Sequence, residues 1–216
     1  MIVVTHGLRR GLRAFATSWL TSKQGRCSPA ASNWNGPVET ILTRNLREYR
    51  NPFYDPGRGI LVRTVWYYVS LVLLESGWFP FSKLKCAVLR LFGAKVGQRV
   101  VIHPNVRIKY PWKLTVGDNC WIGREAWIDN LDDVVLESDV CISQQVYLCT
   151  GSHDHRSPTF ELKTGPITIL HGAWVCCRAT ILGGSTVPSM AVVPAHQVYS
   201  HTADESAEFV AVRKPR

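Results

Sequence analysis

No stretch of the 216-residue chain is apolar for long enough to cross a membrane. The strongest run, Thr64 to Leu74, is half of the roughly 20 residues that a spanning helix needs, and Arg63 and Glu75 flank it. A secretory signal is not expected either: Arg9, Arg10 and Arg13 precede an apolar stretch, Ala14 to Leu20, that Thr17 and Ser18 interrupt. The zinc-knot pattern is missing too. Cysteines stand at 27, 86, 120, 141, 149, 176 and 177, an odd number with no C-x-x-C, and the adjacent pair Cys176–Cys177 suits no ordinary disulfide. Such a scatter fits the reduced thiols of a cytosol. Acidic residues are scarce in the first part of the chain: residues 1–95 carry 4 against 14 basic ones, while residues 96–216 carry 12 against 11. The whole net charge of +9 therefore lies before residue 96, where no nucleic-acid-binding module organises it. With 46% apolar and 19% charged residues, the chain is neither largely disordered nor collagen-like, and its length suits one domain with an appendage.

Residues 1–45 are rich in Ser, Gly, Arg and Ala and keep no apolar period, so a disordered leader is expected there. Residues 46–95 read as a turn-rich linker, with Asn51-Pro52 and Asp55-Pro56-Gly57, followed by an amphipathic helical segment. Apolar residues fall at helical spacing from Ile60 to Leu74 and from Lys83 to Phe92, with a break at Gly77 to Pro80. Basic residues (Arg63, Lys83, Lys85, Arg90) accompany the aromatics Trp66, Tyr67, Tyr68, Trp78, Phe79 and Phe81. Two alternatives stay open for these helices: packing on the main domain, or shallow peripheral contact with a membrane.

From Val96 the period changes to six. Aliphatic residues stand at Val96, Ile102, Ile108; at Val116, Ile122, Ile128; at Leu136, Ile142, Leu148; and at Ile169, Val175, Ile181, Val187 and Val193. Val, Ile and Leu make up only 54 of the 216 residues, so an unbroken series of this kind is not chance. Four residues after these positions the side chains are small or modest, as at Cys120, Ala126, Val140, Ala173, Ala179 and Ser185. Six residues make one short strand and one turn, and three such units make a triangular coil that buries its aliphatic corner on the next coil. The register slips by two at 114–116 and at 134–136, and residues 150–166 must leave the coil as a loop.

The strings Val116-Gly117-Asp118-Asn119-Cys120 and Ile122-Gly123-Arg124-Glu125-Ala126 resemble the hexapeptide-repeat acyltransferases. Other strings resemble the exopolysaccharide branch, the acetyltransferases of colanic-acid and related clusters. They are Tyr54-Asp55-Pro56-Gly57-Arg58, Leu91-Phe92-Gly93-Ala94-Lys95, Trp127-Ile128-Asp129-Asn130-Leu131 and Leu148-Cys149-Thr150-Gly151-Ser152-His153-Asp154. The resemblance implies an all-β core: a left-handed parallel β-helix of about five coils over 96–199, with an N-terminal helical segment, one extruded loop (150–166) and a C-terminal tail (200–216). It also implies an O-acetyltransferase that uses acetyl-CoA, without a metal, on a sugar or lipid-linked saccharide in exopolysaccharide biosynthesis. The expected assembly is a cytoplasmic homotrimer with active sites between subunits.

Acetyl transfer to an alcohol needs a base, oxyanion stabilisation and alignment of both substrates. His153, at the start of the extruded loop and within the matching string, is the candidate catalytic base; His155 lies outside that string. The resemblance puts the acceptor sugar beside this histidine, between neighbouring subunits; Asp129 and Asn130, polar in an otherwise aliphatic coil near the same end, could bind its hydroxyls or could equally make a turn. By position it assigns coenzyme A binding to Trp174, Cys177, Ala195 and Ser200, with Arg213 and Lys214 for its phosphates. Two other possibilities remain: a non-catalytic hexapeptide scaffold, and a zinc carbonic-anhydrase-like protein, which would need a third histidine opposite His153 and His155.

Overall fold

The computed structural model describes residues 46–51 and 54–200. The expected leader (1–45) and the tail beyond Ser200, with Arg213 and Lys214, lie outside the described residues.

Each coil contributes one short strand to each of three five-stranded parallel sheets, which are the faces of a triangular β-solenoid. The first face stacks Lys95–Val96, Leu114–Val116, Val134–Leu136, Ile167–Ile169 and Thr186–Val187. The second stacks Val101–Ile102, Trp121–Ile122, Cys141–Ile142, Trp174–Val175 and Val192–Val193. The third stacks Arg107–Ile108, Trp127–Asp129, Tyr147–Cys149, Thr180–Leu182 and Val198–Tyr199. The six-residue period builds this shape because every sixth side chain points inward. Ile102, Ile122, Ile142, Val175 and Val193 form one such column, none more than 1% exposed. The small residues four positions later complete the interior, with Cys120, Ala126, Ala173 and Ala179 fully buried. Burying one such aliphatic chain is worth about 1.5–3 kcal/mol, so the columns carry the fold.

The register slips have a structural cause. Val101 pairs with Trp121 and Trp121 with Cys141, steps of 20 positions, whereas Thr168 pairs with Thr186, a step of 18. The extra residues sit at the corner between the third and first faces, where Pro111–Lys113 forms a 3-10 turn. At the other corners the chain turns through left-handed residues such as Asn105, Asn119, Glu125, Asp139 and Gln145, with φ from 58° to 63°. Adjacent corners approach closely. A Cβ on Gly123 would lie 2.6 Å from the backbone of Ser143, so only glycine fits.

Two helices close the first coil: α1 (Ile60–Leu73) and α2 (Ser82–Leu91). An open solenoid end would expose its column, so a cap is required. Trp66 of α1 is buried, packs against Phe92 and donates its indole N–H to the Ile108 carbonyl at 3.0 Å. Lys85 of α2 is fully buried and donates to the His103 carbonyl at 3.0 Å, and Arg90 reaches the Val96 carbonyl at 2.9 Å. Burial lowers the Lys85 pKa below the ordinary lysine value. These basic residues thus bind backbone oxygens of the end coil. The opposite side of α1 is covered by none of the described residues: Ile60, Leu61, Val65, Tyr68 and Val72 are exposed, and no charged residue stands among them. Among the described residues no helix is long and apolar enough to cross a membrane.

Candidate active site

The chain leaves the solenoid at the corner between the third and first faces. Thr150, buried there, donates its hydroxyl to the Asp129 carbonyl at 2.9 Å, and its own carbonyl accepts the Gly165 N–H at 2.9 Å. These bonds clamp the base of an antiparallel hairpin in which Gly151–His153 pairs with Leu162–Thr164. His153 ends the first strand, opposite Leu162.

The His153 ring is held from three sides. Its Nδ1 lies 2.9 Å from the Phe160 carbonyl oxygen. A carbonyl only accepts, so Nδ1 carries the proton in the neutral ring and Nε2 keeps a free lone pair. The Phe160 ring stacks on the imidazole, 4.3 Å between centroids and 3° from parallel, and Tyr49 packs at 5.7 Å. Phe160 reaches this position through a left-handed φ of 52°, a conformation that costs a residue with a Cβ about 1–2 kcal/mol. Asp154 does not orient the ring. Its carboxylate pairs with Lys163 at 2.8 Å and accepts the Arg156 N–H, and the hydrogen bond from Lys163 holds its pKa below the usual value. His155 is exposed.

The two expected sugar ligands separate. Asn130 has no exposed surface, and both ends of its amide are used on Tyr110, accepting its N–H at 3.0 Å and donating to its carbonyl at 2.6 Å. These bonds join two coils. Asp129 is half-buried on the third face, 2.9 Å from Lys109 Nζ, and accepts the Tyr147 hydroxyl at 3.2 Å.

The expected donor residues gather elsewhere. Cys177 and Ala195 are exposed at the corner between the second and third faces, in successive coils tied by the bond from the His196 N–H to the Cys177 carbonyl at 3.1 Å. Trp174 lies half-exposed on the second face, with its indole N–H donated to Ser143 Oγ at 2.8 Å. Ser200 follows the last strand of the third face. Within one chain, then, His153 and the Cys177–Ala195 corner stand on opposite edges of the third face. The described cysteines are all free thiols, and among the described residues no three His, Cys, Asp or Glu converge on a metal-sized site.

Sequence reasoning missed Phe160, whose contribution is a backbone carbonyl and therefore leaves no trace in residue type. It also passed over the outward surface of the third face, where Arg107, Trp127 and Tyr147 stand side by side in successive coils. Their signal was present: each directly precedes an inward aliphatic residue, at a spacing of 20.

No protein-family model matches the chain. A putative colanic acid biosynthesis acetyltransferase, WcaF, of Escherichia coli K12 is 39% identical over 141 residues, spanning 64% of this chain and 76% of that protein. The Shigella flexneri protein of the same description matches equally. A putative acetyltransferase of Dictyostelium discoideum is 24% identical over 150 residues, 68% of this chain and 78% of that one. Among solved structures, a hexapeptide-repeat acetyltransferase of Vibrio cholerae complexed with acetyl coenzyme A superposes with a TM-score of 0.61 at 18% identity, covering 71% of this chain and 85% of that one. A maltose O-acetyltransferase of Clostridium difficile gives 0.60 at 17% identity, covering 75% and 89%. At these identities the two structures establish a shared fold.

Proposed function

From the premise that the chain belongs to the WcaF-like family of colanic acid biosynthesis acetyltransferases, we propose that it moves an acetyl group from acetyl-CoA to a sugar hydroxyl in exopolysaccharide assembly. The observation that carries the mechanism is the Phe160 carbonyl on His153 Nδ1, which leaves Nε2 ready as a base. Nε2 takes the proton of the sugar hydroxyl as its oxygen attacks the thioester carbonyl. The tetrahedral oxyanion collapses, the C–S bond breaks, and the imidazolium returns the proton to the departing thiolate. Transfer is direct, without an acyl-enzyme. Asp129, beside the base of the His153 hairpin, is the acceptor-side polar group.

The donor lies along the corner of Cys177 and Ala195, flanked by Trp174 and Ser200. Because His153 and this corner sit on opposite edges of one face, the reacting pair comes from neighbouring subunits of a homotrimer. The phosphate partners Arg213 and Lys214 belong to the same proposal. So does the division of the chain into leader (1–45), linker and helices (46–95), catalytic solenoid (96–199) and tail (200–216). We place the enzyme in the cytoplasm, with the charge-free face of α1 against the inner leaflet of the plasma membrane.

The test is release of free coenzyme A thiol from acetyl-CoA in the presence of saccharide acceptors. His153→Ala is expected to lower kcat by about 10²–10⁴, the range for removal of a general base. Turnover that survives this substitution unchanged would sink the mechanism.

A further inference from the structure

Between its two edges the third face carries an aromatic surface that takes no part in the transfer step itself. Trp127 and Tyr147, in adjacent coils, stack at 4.6 Å between centroids and 27° from parallel, and Trp127 is 40% exposed. The Arg107 guanidinium lies 5.8 Å from the Trp127 ring centre and 3.7 Å from the Glu75 carboxylate at the end of α1. Tyr147 is fixed by its hydrogen bond to Asp129, which Lys109 holds in turn. Two adjoining cavities, of about 520 and 370 Å³, open over this surface and share Glu75, Arg107 and Trp127. Both lie in the range of small-molecule sites, roughly 300–1,000 Å³. Asn105 and Gln145 line the larger one.

We propose that this surface is a saccharide subsite, which holds a sugar unit of the acceptor remote from the one that is acetylated. Tyr147 covers one face of Trp127 and Arg107 lies over the ring from the adjacent coil, so the exposed rim of the stacked pair is the apolar wall against which the C–H face of a pyranose packs. The planar amide of Asn105, the carboxylate of Glu75 and the guanidinium of Arg107 supply the donors and acceptors that ring hydroxyls need. Charge narrows the class further. The ionic groups lining the two cavities are Arg63, Arg107 and Lys109 against Glu75, Glu125 and Asp129, three of each sign, so the site suits a neutral sugar rather than a nucleotide or a phosphate. His153 follows Tyr147 by six positions, which puts the aromatic pair within ~20 Å of the base along the chain, the length of a short oligosaccharide. Binding energy from such a remote unit helps to align the reacting hydroxyl. The inference rests on a saccharide acceptor.

The experiment titrates the full-length protein with neutral gluco- and galacto-oligosaccharides of two to four units. It follows tryptophan fluorescence and, separately, the ratio of kcat/KM for oligosaccharide over monosaccharide acceptors. Trp127→Ala is expected to weaken oligosaccharide binding about tenfold and to bring the ratio towards one, with Trp127→Phe restoring part of both. Trp121→Ala, on the second face, is expected to change neither. The proposal is overturned if the wild-type protein binds none of these saccharides, if Trp127→Ala binds them as well as wild type, or if Trp127→Ala dissociates the oligomer, which would make the aromatic pair a subunit contact. Binding that depends on Trp127 without acetylation of any saccharide would uphold the subsite and sink the proposed reaction instead.

Discussion

At the scale of single residues, the proposed chemistry depends on groups that hold others in place. Phe160 contributes a carbonyl and a ring to His153, and the two can be separated. Phe160→Gly keeps the carbonyl and suits the left-handed φ but removes a stacked ring, an interaction worth about 0.5–1.5 kcal/mol. It is expected to lower kcat about fivefold, far less than His153→Ala, through looser aim of Nε2. A kcat equal to wild type would show that the ring has no positioning role. Cysteines give a second residue-level test. Burial raises the thiol pKa of Cys86 and Cys120 above the ordinary value of 9.0, whereas Cys177 is exposed. Alkylation of the native protein followed by mass mapping is therefore expected to label Cys177 and to spare Cys86 and Cys120. The same shifts couple to stability. Above pH 9.0 the unfolded thiols release protons that the folded ones retain, so this contribution is intact below that pH and is lost as pH rises through the folded values. Cys120→Ala, a substitution that the interior already shows at Ala126 and Ala173, is expected to lose less melting temperature between neutral and alkaline pH than wild type.

At the scale of elements, legibility followed periodicity. The coils were readable because a column of stacked aliphatics repeats in sequence, and even the two-residue slips were visible in the spacing. The helices were readable from their apolar spacing, although the sequence could not distinguish the buried lysine of the cap from a basic edge. Lys85 binds backbone oxygens inside the protein, which a charge pattern alone does not reveal. Asn130 is a similar case: in the sequence a polar residue beside a loop reads equally as a ligand or a turn, and its two hydrogen bonds to Tyr110 are not visible there. The outer face of α1 raises a different question. A helix that is apolar on all sides is normally buried, yet Tyr68, Leu61, Val72 and Val65 face outward beside the exposed Trp78, Phe81 and Leu91 of the α1–α2 unit. Lys83 and Arg90 lie on the exposed side of α2. Aromatic and basic groups together suit an anionic bilayer surface. The protein is expected to float with phosphatidylglycerol-containing vesicles at low salt, and Leu61→Glu with Val65→Glu to remain in the soluble fraction. Equal flotation of the double variant would remove the membrane proposal; loss of oligomerisation in it would assign the face to a subunit contact.

At the scale of the whole molecule, the folded solenoid is a ladder that repeats one unit, and the groups of the proposed reaction are divided between two corners. A triangular coil cannot bring opposite edges of one face together, because interior side chains hold those edges apart at every rung. His153 on one edge and the Cys177–Ala195 corner on the other can meet over one acetyl group only if a second subunit supplies one of them. Closed symmetry gives three such boundaries in a trimer. Complementation tests this geometry directly. His153→Ala removes the base and leaves the donor corner intact; Ala195→Trp fills the donor corner and leaves the base. Each alone is expected to be inactive. When the two are unfolded, mixed in equal amounts and refolded together, a boundary is functional when the base comes from an Ala195→Trp chain and the corner from a His153→Ala chain. Random assembly makes about one quarter of boundaries functional, so about a quarter of wild-type activity is expected to return. Shared sites predict this recovery, with light scattering reporting a trimer; sites contained within single chains predict none.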